Sequence, residues 1–425
     1  MKLVDTSNLK GTEDYYGKEQ LIRNYIIDII KNSFDNYGYL PLDTAILNSY
    51  DILAYKYQDG AEILTEVYKL TDQGNRNLGL RYDLTIPFCK FIANQKELRL
   101  PLRRYEIGKV FRNGPVKPGR MREFYQCDAD VVGVDGNDIE IEQMIMAITT
   151  YQKLGIEPIV KWNNRKLMSS LIGYIDSNID KDIVIGIIDK MEKISKEELL
   201  KEFNKANIKE DIANQILDIF NKDIDYYNSL NIEDDLFKEA IKEINYINDK
   251  FNYLELSNNT RFTPTLARGL SIYTGTVFEF FDKEERLKCS IGGGGRYNKI
   301  ITNFINDGNI YPAVGLSFGL EPIYTIIKDK LENKSNIDIY IVPMEDNIEG
   351  IKLATKLRKN NLNVLVELNK KKLNKCFEYA DKSNIKYIII LGSEEIENKV
   401  YTIKNMQTRE QLKLNIEELL EYINK

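Results

Sequence analysis

The chain has no histidine in 425 residues. That excludes Ser-His and Cys-His nucleophile systems and every zinc site that needs an imidazole ligand. Its chemistry must rest on Arg, Asp, Glu, Lys, Tyr or a bound metal. Drift in an Asn-, Ile- and Lys-rich composition and selection for synthesis when histidine is scarce both account for the absence. Cysteine is sparse too: Cys89, Cys127, Cys289 and Cys376 are scattered without metal-ligand spacing. They read as reduced thiols of a cytoplasmic protein. No apolar run approaches the about 20 residues of a membrane span. The opening MKLVDTSNLKGTEDYYGKEQ has no signal-peptide core, so no membrane partner is expected. Internal repeats and low-complexity segments are absent, as is the GxxxxGK[ST] phosphate loop.

What remains is a globular composition, 43% hydrophobic and 29% charged, long enough for two or three cored domains. The net charge of −6 means that any nucleic-acid partner must be met by local basic patches. The densest lies between Leu102 and Arg122. There Arg103, Arg104, Lys109, Arg112, Lys117, Arg120 and Arg122 face the single acid Glu106. Alternating apolar flanks and a middle holding Gly114, Pro115, Pro118 and Gly119 predict two antiparallel strands joined by a long basic loop. Arginines held on strands can clamp a polyphosphate, because a planar guanidinium bonds phosphate oxygens two at a time. A solvated basic hairpin is the alternative. The ending EFYQCDADVVG adds Gln and Asp to the same surface, which suits a zwitterion beside a nucleotide.

Elsewhere the pattern predicts an amphipathic helix over 15–36 and a strand from Tyr39 to Leu47. It also predicts a hairpin over Lys69–Thr85, with Arg81, Asp83 and Thr85 on one strand face. Residues from Asn163 to Phe251 alternate Lys/Glu with Ile/Leu, as a helical insertion does. Leu266–Phe281 reads as a turn presenting Arg268, then a strand with Tyr273 and Glu279. SIGGGGRYN at 290–298 is bare backbone that a ligand or strand must approach closely. After the linker at 333–336, strands and helices alternate in the order of a parallel-type α/β domain. That part carries net charge +1 against −7 for the rest. Lys370, Lys371, Lys372, Lys399, Lys404 and Arg409 offer phosphate contacts there.

FRNGPVKPGRMREFYQCDAD closely resembles motif 2 of class II aminoacyl-tRNA synthetases, in the histidyl-tRNA synthetase version. LRYDLTIPF, LARGLSIYTGTVFEFF, the glycine run, PAVGLSFGLEPI and the C-terminal KKLNKCFEYAD resemble further segments of that family. The likeness runs from about Gly11 to the C-terminus. The chain departs from the pattern at Ala45, Ser271 and Ile272, and at Pro322 where motif 3 usually ends in arginine; either Arg120 or Arg296 compensates for that ATP contact, or ATP use is reduced or altered.

The resemblance implies an α+β fold: a class II synthetase-like antiparallel sheet flanked by helices over 1–330, with the helical insertion at about 163–251. A separate α/β anticodon-binding domain follows over 336–425. It implies ligation of L-histidine to tRNA(His) through a histidyl-adenylate, with ATP as substrate, Mg²⁺ beside the ATP, and a homodimer. Arg112 and Arg268 would neutralise the α-phosphate as the catalytic pair, with Arg120 on the outer phosphates and Phe124 on adenine. Thr85 and Gln126 would hold the histidine carboxylate, Asp83 the ammonium, and Asp130 and Tyr273 the imidazole. Leu84 and Ile272 belong to the same histidine-binding set. A non-catalytic paralogue, the histidine-sensing regulatory subunit of ATP phosphoribosyltransferase, is the alternative. Pro322, Ile272 and the lack of histidine favour it; the complete C-terminal domain argues against it.

Overall fold

The computed structural model describes residues 5–423 except 56–61, 96, 98, 117–118, 268–271 and 331–334. The chain divides into two compact units, residues 1–15 with 23–327, and residues 16–22 with 328–425.

The first unit is built on an eight-stranded sheet. Its strands, with those of a small side sheet, are in chain order β1 (Leu40–Pro41), β2 (Leu47–Ser49), β3 (Lys69–Thr71), β4 (Asn77–Leu80), β5 (Leu102–Phe111), β6 (Glu123–Val132), β7 (Pro158–Asn164), β8 (Thr260–Phe262), β9 (Thr276–Asp282), β10 (Gly292–Arg296) and β11 (Ala313–Gly319). The large sheet runs β1-β5-β6-β11-β10-β9-β7-β8, and β2-β4-β3 form the small one. Six central strands pair antiparallel, while β1 and β8 join the edges in parallel. The basic hairpin is β5 and β6, as the alternation predicts.

Opposite residues of paired strands share a face, so the register sorts the sheet. One face carries Tyr105, Cys127, Phe318, Phe278 and Phe280. Against it pack the helix Lys18–Asn36, through Phe34 with its ring 5.2 Å from Tyr105, and the helix Asp138–Lys153, through Tyr151 at 5.1 Å from Phe318. The other face carries Gln126, Asp128 and Asp130, and opposite them Gly319, Ser317 and Gly315. It is the face that holds the site.

Three expectations change. The stretch Tyr39–Leu47 holds only two strand residues and then the start of β2, not one strand. The β3–β4 hairpin forms with its turn at Asn75 in the left-handed region, but β4 ends at Leu80. Thr85 opens a helix, Thr85–Ala93, so Arg81, Asp83 and Thr85 do not share a strand. Pro87 sits in that helix's first turn, where its missing N–H costs nothing, and Asp83 Oδ1 accepts from Ile86 N at 3.0 Å. Tyr273 lies ahead of β9 rather than in it.

The insertion is six helices, from Arg165–Ile175 to Asp235–Tyr253. They bury Phe203, Ile216, Phe237 and Ile244 and leave the Lys/Glu face to solvent. The second unit has β12 (Ile339–Pro343), β13 (Val364–Val366), β14 (Tyr387–Leu391), β15 (Tyr401–Asn405) and β16 (Gln411–Leu414), ordered β13-β12-β14-β15-β16. Only β13, β12 and β14 are parallel; β15 and β16 add antiparallel, which the alternation of strands and helices did not disclose.

The glycine run is β10, and what approaches it is strand on both sides. A Cβ at Gly294 would sit 2.0 Å from the Gly315 carbonyl oxygen and 2.7 Å from the Phe278 ring. Gly294→Ala should therefore destabilise the first unit by about 1–3 kcal/mol, read as a lowered midpoint in denaturant. An unchanged midpoint would show that the sheet relaxes there.

Candidate active site

The pocket lies over the centre of the polar sheet face. Asp83, Thr85, Arg112, Gln126, Asp130, Ile272 and Tyr273 all line it, brought together from three separate parts of the chain. Asp128, Tyr297, Gly293, Gly294, Gly315, Leu316 and Ser317 complete the wall.

Glycines make the hollow. A Cβ at Gly315 would come within 2.4 Å of Asp130 Oδ1, and one at Gly295 within 2.9 Å of the Tyr273 ring. Any side chain there would displace the residues that shape the pocket.

Beneath it runs a buried ionic network. Arg104 Nη2 sits 2.7 Å from Asp130 Oδ2 and donates to the Leu84 carbonyl at 3.4 Å, its guanidinium 4.1 Å from the Phe88 ring centre. Tyr297 donates its hydroxyl hydrogen to the other Asp130 oxygen. Arg81 is fully buried: Nη1 reaches Glu106 Oε1 and the Thr44 carbonyl, each at 2.7 Å, and Nε the Lys109 carbonyl at 2.9 Å. These bonds tie the link before the helix Thr85–Ala93 to β5, and so set Asp83 and Thr85 against β6.

Burial and the neighbouring Asp130 charge push the Asp128 carboxyl up to about 7, against the opposing pull of Arg104. Burial also raises Asp130, again opposed by Arg104.

Arg112 is oriented by its own backbone and by Tyr82. Its N–H donates to the Arg122 carbonyl at 2.8 Å, its Nε to the Tyr82 carbonyl at 3.1 Å, and its guanidinium lies 5.1 Å from the Phe124 ring centre.

Other expected residues stand elsewhere. Leu84 is fully buried, and only its carbonyl takes part, as an acceptor for Arg104. Arg120 pairs with Glu66 at 2.9 Å and does not line the pocket, nor does Phe124. Arg296 cannot replace the motif 3 arginine: it is buried, with Nε and Nη2 each 2.7 Å from the Glu140 carboxylate, and it also donates to the Gly136 carbonyl. Arg268 lies outside the described residues. Asp128, Ser317 and Tyr297 are the lining residues that sequence reading passed over. Strict alternation along β6 puts Asp128 on the face of Gln126 and Asp130, and that signal was in plain view.

The family model described as histidyl-tRNA synthetase matches residues 11–323, and one described as anticodon binding domain matches 338–425. The chain belongs to the histidyl-tRNA synthetase family. It is 40% identical to Histidine--tRNA ligase 1 of Bacillus thuringiensis over 99% of this chain and 100% of that one. The solved histidyl-tRNA synthetase of Nostoc superposes with a TM-score of 0.84 at 27% identity, covering 99% of both chains. A Bacillus halodurans structure titled ATP phosphoribosyltransferase regulatory subunit/histidyl-tRNA synthetase has a TM-score of 0.76 at 20% identity. It covers 92% of this chain and 100% of its own, and at that identity shows a shared fold alone. Against the histidyl-tRNA synthetase pattern, Pro322 falls in the first turn of the helix Leu320–Ile327, and Glu321 before it pairs with the buried Arg23 at 2.8 Å.

Two outcomes follow from the network. Arg81→Ala leaves Glu106 buried and unpaired, and should cost about 3–5 kcal/mol of stability. Asp128 holds its proton more tightly folded than unfolded, so between its ordinary 3.8 and about 7 its contribution to stability falls as pH rises. Asp128→Asn should therefore stabilise the protein more at pH 8 than at pH 5 in urea titrations; equal gains would contradict this.

Proposed function

We propose that the chain joins L-histidine to tRNA(His) in two steps. Histidine and ATP give histidyl-adenylate and pyrophosphate, and the histidyl group then passes to a ribose hydroxyl at the tRNA end. The observation that carries the reading is the single pocket in which Asp83, Thr85, Gln126, Asp130 and Tyr273 meet Arg112.

The first step needs no protein nucleophile. The substrate carboxylate attacks the α-phosphorus in line, so catalysis is positioning and charge stabilisation. Arg112, fixed by the Tyr82 carbonyl, is placed to neutralise the α-phosphate as charge builds, with Arg268 as its partner. Phe124, under the Arg112 guanidinium, offers adenine a stacking face, and Arg120 would leave Glu66 for the outer phosphates. Asp83 pairs with the ammonium, while Thr85 and Gln126 hold the carboxylate. Tyr273 meets the imidazole, with Asp130 oriented by Arg104 and Tyr297.

Among the described residues no three carboxylates or thiols gather to hold a metal. Mg²⁺ would thus arrive on the ATP phosphates, where it supplies charge neutralisation. Asp83, Asp128 and Asp130 are the nearest oxygen donors in the pocket, and their places are taken by the amino acid.

Exposed Leu40 on β1, and Ile46, Leu47 and Leu70 in and beside the small sheet, offer apolar surface to a second copy of the chain. In the second unit Lys370, Lys372 and Lys399 are exposed, while Lys371 and Arg409 pair with Glu367 and Asp381. They suit the anticodon arm of the tRNA. No disulfide joins the four cysteines, of which three are buried and Cys289 is exposed, in keeping with the cytoplasm.

Histidine-dependent ATP–pyrophosphate exchange tests the reading. It should be present in the wild type, and Arg112→Ala or Arg268→Ala should lower its rate about 10²–10³-fold. Pro322 favours the sensing paralogue as second reading: histidine binding with no exchange would choose it.

A further inference from the structure

Among the pocket's carboxylates, Asp128 stands apart. Asp83 accepts from Ile86 N, and the two oxygens of Asp130 face Arg104 across the strand pair and the Tyr297 hydroxyl after β10. Asp128 is 5% exposed; the Ser317 hydroxyl hydrogen-bonds its carboxyl, while Oδ1 is enclosed with no hydrogen-bond partner among the described residues. The register surrounds it: Glu106 opposite on β5, Ser317 opposite on β11, and Gln126 and Asp130 either side on β6. Asp83 contributes further negative charge from the link before the helix Thr85–Ala93, and Tyr297 a neutral hydroxyl. Glu106 is committed to Arg81, and Arg104 lies 2.7 Å from Asp130. A buried, unpartnered carboxylate oxygen is costly unless a ligand completes it.

The geometry points to Asp128 as a further specificity-determining residue for the amino acid: its unsatisfied Oδ1 accepts a hydrogen bond from the substrate ammonium. As that nitrogen docks, the carboxyl releases its proton to solvent and the ammonium keeps all three of its own. Asp83 and Asp128 then hold the cation from two sides, with Gln126 beside it for the carboxylate. A neutral isostere of the ammonium gains nothing from a deprotonated Asp128, so the pair would select a free amino group. This deepens the ligase reading above and rests on it.

Calorimetric titration of the full chain with histidine at pH 6.5, in two buffers of different ionisation heat, counts the protons exchanged. The histidine ring titrates in the same range, but its share is common to wild type and variant. The wild type should release about one-half to one proton more per histidine than Asp128→Asn. The variant should bind histidine about 10–100-fold more weakly, with ATP affinity changed by less than about twofold. An equal proton count, or histidine affinity within about twofold, overturns the proposal. Should the variant fail to fold, infrared difference spectra of the wild type decide. Histidine must remove a protonated-carboxyl band, and its persistence overturns the proposal. A wild type that exchanges pyrophosphate but shows no such proton release overturns Asp128 alone; one that binds no histidine overturns the ligase reading with it.

Discussion

The contact between Arg104 and Asp130 is the constraint on which the pocket depends. It joins the two strands of the basic hairpin at directly opposed positions, buried in the sheet. Buried ion pairs of this kind add little net stability, because desolvation offsets most of the attraction. What they do is fix geometry. Arg104 reaches from β5 to the carboxylate of β6 and to the carbonyl of Leu84, so one guanidinium sets the distance between the sheet and the segment carrying Asp83 and Thr85. Arg81 and Glu106 repeat the device one step along, adding Thr44 and Lys109. Each arginine offsets a carboxylate of the floor, and Asp83 and Asp128 line the pocket above it.

Above that floor the shape is set by what is missing. Gly315 leaves room for Asp130, and Gly295 for Tyr273. The glycine density that in sequence calls for close approach of a ligand or strand is here a strand between two strands, with its hollow side toward the pocket. Among the described residues the walls of the pocket are therefore preformed by strand backbone.

Much of the frame was legible. Period-two alternation marked the β5–β6 hairpin, and the Lys/Glu and Ile/Leu periodicity marked the helical insertion, since each pattern maps onto one buried face. The segment Arg81–Thr85 misled because its alternation continues that of β4, while Asp83 is in fact the acceptor that starts a helix. Arg296 misled for another reason: its partner Glu140 is 156 residues away, and nothing local records that pairing. Asp128 was missed although its neighbours two residues either side were found. Likeness to the histidyl-tRNA synthetase family directs attention to familiar positions, whereas an unpaired oxygen shows itself only once the strands are paired.

The central claim is that Arg104, through Asp130 and Leu84, holds the amino-acid half of the site and not the nucleotide half. The most direct measurement is the histidine and ATP affinity of an Arg104→Met variant, by calorimetry at pH 8. The account predicts histidine binding weakened by at least about tenfold, with ATP binding changed by less than about twofold. Unchanged histidine affinity in a folded variant would contradict it.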